Sequence, residues 1–424
     1  MNREKWNVGL FFAILAAFFL LNLFFRSTAE VSQTEQRTLK QWPDWSVSSL
    51  LNGDYGRDVE DYFSDRFAFR SGFIAAGSGL SALYGITSGE EVSIQLSVGN
   101  NMHVIADSKR LDDNAIPGAS GSQHEDDSDG KKGRYLVIGN RAMEIYYYRQ
   151  QAAQKYAAAV NAFALKAKAV KSVKGIYTML VPSSIEYLNN DKYRKLSPSQ
   201  AAAAKEVVKH LAPGVTNVPV YEQLEQHADE YIYFRTDHHW TALGAYYGYV
   251  SYSKAAGKET LSVEDYEWQE RGTFLGTTYA ATLGEGMKDD PDQLFLYKAK
   301  EATLTAENMG KMVGMPVIDQ YATGYSAFLG GDTSVAVIST EQSDDRILII
   351  KDSYANAFAP FLIPHYEEIH LLDLRYYKGD VYDYMERNDI NDVLFLNNAA
   401  VTSHSGFTEV LEKRLGLNLA NDKK

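Results

Sequence analysis

The pattern of apolar and polar positions predicts apolar strands that alternate with helices over most of the chain. The segments GIYTMLV, RILIIKD and DVLFLNN are short, apolar and rich in β-branched residues, as buried strands are. TALGAYYGYVSYSKAAG predicts a helix closed by Gly257, and SPSQAAAAKEVVKHLA predicts another with Ser197 as its N-cap. Buried strands that alternate with helices favour an α/β fold, in which a mostly parallel sheet is flanked by helices.

The N-terminus carries a different pattern, a single long apolar run from about Trp6 to Phe25. About 20 such residues span ~30 Å of hydrocarbon as a helix. Arg3 and Lys5 precede the run, which places the N-terminus inside and the remaining chain outside the membrane. The small-residue cleavage site of a signal peptide is poorly matched. Residues 1–30 are therefore predicted to be a single-pass membrane anchor, with the rest of the chain extracytoplasmic.

The rest of the chain divides by pattern into two parts. Residues 31–97 predict amphipathic helices with an aromatic face, a helical juxtamembrane region without a catalytic signal. Residues 98–424 carry the strand–helix alternation and are predicted to form the α/β domain. Within it, about 106–133 is polar and rich in Gly, Ser and Asp, which predicts a flexible surface loop. YLVIGNRAMEIYYY then predicts a hairpin with Gly139-Asn140 at its turn.

Composition narrows the classes of function. The formal net charge of −13 argues against nucleic acid as a partner, because its backbone demands clustered Lys and Arg. The chain has no cysteine, which excludes disulfides, thiolate metal sites and a cysteine nucleophile. No nucleotide-binding loop is found, and no cofactor is predicted.

Two segments carry reactive groups to the carboxyl edge of the predicted sheet, where α/β folds place their sites. YFRTDHHW supplies Asp237, His238 and His239, and ILIIKDSYAN supplies Ser353 where a strand gives way to a helix. Residues i and i+2 of an extended segment share a face, so Asp237 and His239 are expected together and His238 on the other side. These residues suit an Asp-His-Ser triad. They lack the i, i+4 histidine pair that commonly binds zinc on a helix, so no metal site is predicted.

The residues alone leave a second interpretation open, in which Ser353 caps a helix and the histidines fill the core. Candidate oxyanion donors are the backbone N–H of Ser353 or Tyr354, Gly276, and Asn356. Gly276 could equally be a turn glycine, and Asn356 could make only a local hydrogen bond at the helix start. Trp240 is expected to pack beneath the motif rather than to bind a ligand.

A family resemblance adds to this picture. TDHHWT together with KDSYANAFAPFLIPHYEEIHLLDLRYY closely resembles the DHHW family of bacterial surface proteins. That family is similar to the SGNH-type polysaccharide O-acetyltransferases of the alginate acetylation machinery. VEDYFSDRFAFRSGFI and IEYLNNDKY also fit it, so the resemblance covers nearly the whole chain after the anchor. Two positions depart from the alginate-type pattern. Lys351 stands where those proteins have Gly, and His238 stands where the alginate enzymes have a residue other than histidine.

The resemblance implies an SGNH-hydrolase-like fold and a catalytic triad of Asp237, His239 and Ser353. It implies an extracytoplasmic polysaccharide O-acetyltransferase with an acetyl-serine intermediate. It also implies a membrane-bound O-acyltransferase as the partner that passes acetyl groups outward. Two other functions stay open: a carbohydrate esterase with the same triad, and a non-catalytic subunit of a polysaccharide export or modification complex.

Overall fold

A computed structural model describes most of the chain after the N-terminal segment. Besides Phe11 and Asn22, it covers residues 31–32, 37–38, 41–68, 92–98, 101–107, 134–298, 301–308, 310–403 and 406–417. The rest of the predicted anchor, and the predicted loop beyond Asp107, lie outside these residues. In the portion of the chain so described, no helix combines the length and the apolar character needed to cross a membrane.

The chain divides into two compact units. The first comprises Met1–Ala115, Lys131–Ala142 and Thr277–Asp290, and the second comprises Ile116–Gly130, Met143–Gly276 and Pro291–Lys424.

The first unit contains a four-stranded sheet of order β4-β3-β5-β6, in which β3 is antiparallel to both β4 and β5. The strands are β1 (Val31–Ser32), β2 (Arg37–Thr38), β3 (Val92–Val98), β4 (Asn101–Asp107), β5 (Arg134–Ile138) and β6 (Arg141–Glu144). Its helices are Val47–Leu51, Asp54–Asp65, Thr277–Thr282 and Glu285–Asp289. The predicted hairpin is confirmed: β5 and β6 meet at Gly139-Asn140, and Gly139 adopts a positive φ of 52°.

The second unit contains ten strands: β7 (Gly175–Val181), β8 (Thr216–Asn217), β9 (Trp268–Phe274), β10 (Asp292–Tyr297), β11 (Thr303–Asn308), β12 (Lys311–Met315), β13 (Val335–Ser339), β14 (Arg346–Lys351), β15 (Glu368–Leu372) and β16 (Asp392–Asn398). Eight of them form one sheet of order β12-β11-β13-β15-β14-β16-β7-β8. Strands β9 and β10 form a separate antiparallel ribbon.

The large sheet is mixed. The pairings from β15 through β14, β16 and β7 to β8 are parallel, whereas β13 pairs antiparallel with both β15 and β11, and β12 with β11. The predicted α/β architecture, a large central sheet flanked by helices, is confirmed. The parallel arrangement applies to five neighbouring strands, and the strands at the opposite edge are antiparallel.

Helices cover both faces of this sheet. The α-helices are Gln150–Ala167, Asp191–Arg194, Gln200–Lys209, Val220–Glu225, Ala242–Ala256, Ala355–Phe358, Val381–Arg387 and Gly406–Arg414. The 3₁₀ segments are Ser184–Tyr187, Val263–Asp265, Gly324–Ala327, Ala359–His365 and Ala399–Thr402. Successive residues of β14 alternate between two cores: Ile347 and Ile349 join the one that contains helix Ala242–Ala256, and Leu348 and Ile350 join the one that contains helix Gln150–Ala167. This two-sided burial explains why β14 is a continuous apolar run.

One predicted helix begins two residues later than expected. The N-cap of helix Gln200–Lys209 is Ser199, whose Oγ accepts the Ala202 N–H at 3.2 Å. Ser197 instead accepts the Tyr146 N–H, so its assignment as the N-cap was wrong. The predicted helix that Gly257 closes is confirmed, with Gly257 in the left-handed conformation at φ 64°.

Candidate active site

Asp237, His238 and His239 lie in a tight loop, so the extended conformation predicted for this segment is wrong. Tyr233 and Trp240 form an isolated antiparallel bridge, and the Phe234 N–H donates to the His239 carbonyl at 3.3 Å. Between these contacts the chain bends continuously over residues 235–239. The shared orientation of Asp237 and His239 therefore comes from the loop and not from strand alternation.

The loop is held by a buried carboxylate that the sequence analysis did not identify. Asp292, at the start of β10, accepts the backbone N–H groups of Arg235 at 2.8 Å and Thr236 at 2.7 Å. It also accepts the hydroxyl protons of Thr236 and Tyr231. Because Asp292 is fully buried, these charge-assisted bonds fix the loop immediately before Asp237.

The structure brings Asp237, His239 and Ser353 into one chain of hydrogen bonds. One carboxylate oxygen of Asp237 lies 2.6 Å from Nδ1 of His239 and also accepts the His239 backbone N–H at 3.0 Å. Nε2 of His239 lies 2.7 Å from Oγ of Ser353. Asp237 and His239 are buried, and Ser353 is partly exposed. This geometry lets Asp237 hold the imidazole with its Nε2 facing the serine hydroxyl.

Ser353 lies in the turn between β14 and helix Ala355–Phe358, at the carboxyl edge of the sheet. The preceding residue stabilises this turn: the Asp352 carboxylate accepts the N–H groups of Tyr354 at 3.0 Å and Asn398 at 2.6 Å. Burial raises the pKa of Asp352 to about 6, although these two N–H groups act to lower it.

Of the oxyanion candidates, Tyr354, Gly276 and Asn356 are engaged in other contacts. The Tyr354 N–H donates to Asp352, and the Gly276 N–H donates to Oγ1 of Thr236 at 3.0 Å. The Asn356 side chain accepts from Nζ of Lys351 and donates to Asp332. Among the described residues, the Ser353 N–H donates no hydrogen bond. It is therefore available, beside Oγ, to donate to an oxyanion.

Gly276 has a steric relation to Asp237. A Cβ atom at position 276 would lie 2.3 Å from Cβ of Asp237 and 2.6 Å from its Oδ2. Only glycine therefore allows this strand-end loop to approach the carboxylate so closely.

Trp240 connects the two halves of the site. Its fully buried indole donates from Nε1 to the Tyr354 carbonyl at 3.0 Å, and the Tyr354 hydroxyl donates to the His238 carbonyl. Gly248 of the following helix lets that helix lie against the indole, since a Cβ there would be 2.9 Å from the ring. The expectation that Trp240 is a packing residue is confirmed, and the indole also hydrogen-bonds the nucleophile turn.

Two aromatic rings enclose the His239 imidazole. The Tyr325 ring lies parallel to it, with centroids 3.7 Å apart and planes 4° apart, and the His238 ring is also 3.7 Å away. The Tyr325 and His238 rings cannot both lie on the same face of the imidazole with centroids this close, so His239 lies between them. His238 is half-buried, and desolvation together with the neighbouring His239 lowers its pKa to about 4.

The same loop contains a possible set of metal ligands. Asp237, His238 and His239 each offer a ligand atom, all within 4.8 Å of one another. However, both ring nitrogens of His239 are already engaged, one with Asp237 and the other with Ser353. A metal ion would have to displace one of these contacts, so we assign no metal to this loop.

Comparisons with known proteins agree with this architecture. A DHHW family protein from Eubacterium siraeum DSM 15702 has a similar structure, with a TM-score of 0.61 and 31% identity over 68% of this chain and 96% of that chain. Bacillus cereus PatB1 shares the fold, with a TM-score of 0.54 and 22% identity over 64% of this chain and 98% of that chain. The O-acetyltransferase domain of Pseudomonas putida AlgJ is a weaker match, with a TM-score of 0.37 and 11% identity over 66% of this chain and 96% of that chain.

None of the curated proteins matches the sequence. The profile described as DHHW protein matches residues 35–96 and 87–372, which is well over half of the chain. Together with the Eubacterium siraeum relative, this match shows that the chain belongs to the DHHW protein family.

Proposed function

We propose that this protein is a polysaccharide O-acetyltransferase that acts outside the cytoplasm through Asp237, His239 and Ser353. The observation that carries the proposal is the continuous hydrogen-bond chain from Asp237 through His239 to Oγ of Ser353. Membership of the DHHW family and the fold shared with PatB1 support an SGNH-like scaffold for this triad.

In the first half-reaction, Oγ of Ser353 attacks the carbonyl carbon of an acetyl donor while His239 takes the hydroxyl proton. The Ser353 N–H donates to the oxyanion of the tetrahedral intermediate. As this intermediate collapses, the bond to the leaving group breaks, and His239 returns the proton to it. Acetyl-Ser353 remains, and Asp237 stabilises the imidazolium that forms on the way.

In the second half-reaction, a sugar hydroxyl attacks acetyl-Ser353 while His239 takes its proton. Collapse releases the acetylated sugar, and His239 reprotonates Ser353, so the enzyme is restored. The proposed acceptor is a cell-surface or secreted polysaccharide. The proposed donor is a membrane-bound O-acyltransferase that passes acetyl groups outward, and the apolar N-terminal run is proposed to hold the chain at the same membrane.

A comparison of acceptors tests the proposal. Full-length protein in detergent is mixed with an activated acetyl ester, with and without an oligosaccharide. Transfer predicts acetylated sugar as the main product and faster turnover when the sugar is present. Free acetate as the only product, at a rate that the sugar does not change, would show a carbohydrate esterase instead.

Ser353→Ala should abolish either activity. Ser172→Ala is the matched control, because Ser172 precedes β7 at the opposite, amino edge of the same sheet. Activity in Ser353→Ala equal to that of the control would favour a non-catalytic subunit of a polysaccharide complex.

A further inference from the structure

Tyr325 contacts both halves of the candidate triad, although no sequence motif marks it. It lies in the 3₁₀ segment Gly324–Ala327 and is 8% exposed. Its ring is parallel to His239 at 3.7 Å, and its hydroxyl donates to the carbonyls of Ser353 at 3.0 Å or Tyr354 at 3.2 Å. The same hydroxyl accepts the Ala357 N–H at 3.4 Å, on the helix that follows the nucleophile.

The backbone around Tyr325 is built to present the side chain in this position. Gly324 has a positive φ of 71°, a conformation that residues with a side chain rarely adopt, and a Cβ there would lie 3.0 Å from the Phe274 ring. A bridge between Ile318 and Phe328 closes the segment. Tyr325 is thus held from its own side of the site, independently of the turn that carries Ser353.

We propose that Tyr325 is a positioning residue, which orients the His239 imidazole with its ring face and holds the Ser353 turn with its hydroxyl. The proposal rests on the function proposed above for Asp237, His239 and Ser353. It assigns two separable contributions to one side chain, because the ring contacts the base and the hydroxyl contacts the backbone of the nucleophile.

The ring contribution has a consequence for proton transfer. When His239 takes the serine proton it becomes a cation, and the electron-rich face of Tyr325 stabilises a cation directly above it. The groups that face His239 are Asp237, His238, Ser353, Tyr325 and Tyr354. Of these, Asp237 binds the edge of the imidazole, whereas Tyr325 stacks in parallel on its face.

The test uses a covalent probe, so that the natural acetyl donor is not needed. Phenylmethanesulfonyl fluoride reacts with an activated serine: the Oγ–S bond forms, the S–F bond breaks, fluoride leaves and His239 takes the proton. The Bacillus cereus PatB1 structure carries a sulfonyl adduct, which recommends this reagent class. The rate of adduct formation on full-length protein is followed by intact mass spectrometry across a range of pH.

Tyr325→Phe keeps the ring and removes the hydroxyl. We expect labelling about 10-fold slower at every pH, with the midpoint of the pH profile unchanged. Tyr325→Leu removes both contributions. Labelling should then be about 100-fold slower, and the midpoint should move to lower pH because the imidazolium loses the ring face.

The control is Tyr297→Phe, because the Tyr297 hydroxyl is buried in the same unit and has no hydrogen-bond partner in the described part of the chain. This variant should label at the native rate. Thermal melting identifies any variant that fails to fold. If Tyr325→Leu does so, Tyr325→Met takes its place as the variant without the ring, and Tyr325→Phe still tests the hydroxyl.

Labelling of Tyr325→Phe within about twofold of the Tyr297→Phe rate would overturn the hydroxyl contribution, and a native midpoint in folded Tyr325→Leu would overturn the ring contribution. Failure of the proposed function is distinguishable, because the native protein would then label no faster than Ser353→Ala.

Discussion

Nε2 of His239 lies 2.7 Å from Oγ of Ser353, although 114 positions separate the two residues in the chain. His239 is held by a loop that Asp292 fixes, and Ser353 by the turn after the central strand β14. Trp240 hydrogen-bonds from the His239 loop to the Ser353 turn, and Tyr325 stacks on His239 while its hydroxyl donates to the Ser353 carbonyl. The contact is therefore built by several independent elements and is not an accident of two surface side chains.

Asp237→Asn tests the orienting role of the carboxylate. The amide cannot hold the imidazole with its proton on Nδ1 as the carboxylate does, so we expect kcat to fall by about 10⁴-fold with the fold intact. The measurement is turnover of an activated acetyl ester, alongside a thermal melt. Asp229→Asn makes the same charge change on an exposed residue and should be silent. Equal activity of the two variants would show that Asp237 does not act on His239.

Gly276→Ala tests the close approach of the neighbouring loop to Asp237. The added Cβ would lie 2.3 Å from Cβ of Asp237, so either Asp237 or the loop at 276 must move, which disturbs the contact between the two. A displacement of this size should cost about 100-fold in kcat. Gly314→Ala is the control, because its Cβ would meet nothing within 4 Å. Native turnover in both glycine variants would show that catalysis does not depend on the position in which Asp237 is held.

Some elements of this fold are predictable from the sequence, and others depend on contacts between distant segments. Strands β14, β16 and β7 were predictable because burial on both faces leaves an uninterrupted apolar run. The loop at 235–239 was not, because its shape depends on Asp292, which lies more than fifty residues away in the chain. Tyr325 gave no signal at all, since its role arises only when separate segments meet.

Lys351→Met tests the charged network behind the nucleophile. Nζ of this buried lysine lies 2.7 Å from Asp332 and 3.9 Å from Asp373. Burial alone would raise the pKa of Asp332, but Lys351 and Arg375 hold this pKa well below its ordinary value. Removal of one member of a buried ion network typically costs about 3–5 kcal/mol, so urea unfolding should show a large loss of stability.

Lys209→Met is the matched control for this change, because Lys209 pairs with Glu206 on an exposed helix face. Its free energy of unfolding should equal that of the native protein within error. If the two lysine variants had the same free energy of unfolding, the network around Lys351 would not be stabilising.

The pH dependence of stability tests the state of Asp352. Burial raises its pKa from 3.8 to about 6, so the folded state binds the proton more tightly than the unfolded chain. Its contribution to the free energy of unfolding is present below about pH 4 and is lost as the pH rises through about 6. The side chain of Asp352→Asn does not titrate in this pH range, so the variant lacks this contribution. The stability of this variant relative to the native protein should therefore increase between about pH 4 and about pH 7 in urea unfolding. If the difference in free energy of unfolding between the variant and the native protein stayed constant over this pH range, the raised pKa of Asp352 would be contradicted.

Ser353 is proposed to form an acyl-enzyme intermediate, which can be detected directly. Full-length protein is mixed briefly with 4-nitrophenyl acetate without acceptor, quenched in acid, and analysed by intact and peptide mass spectrometry. We expect one acetyl group per chain, located on Ser353 and missing in Ser353→Ala and His239→Ala. An acetyl group on another residue, or equal acetylation of Ser353→Ala, would contradict it.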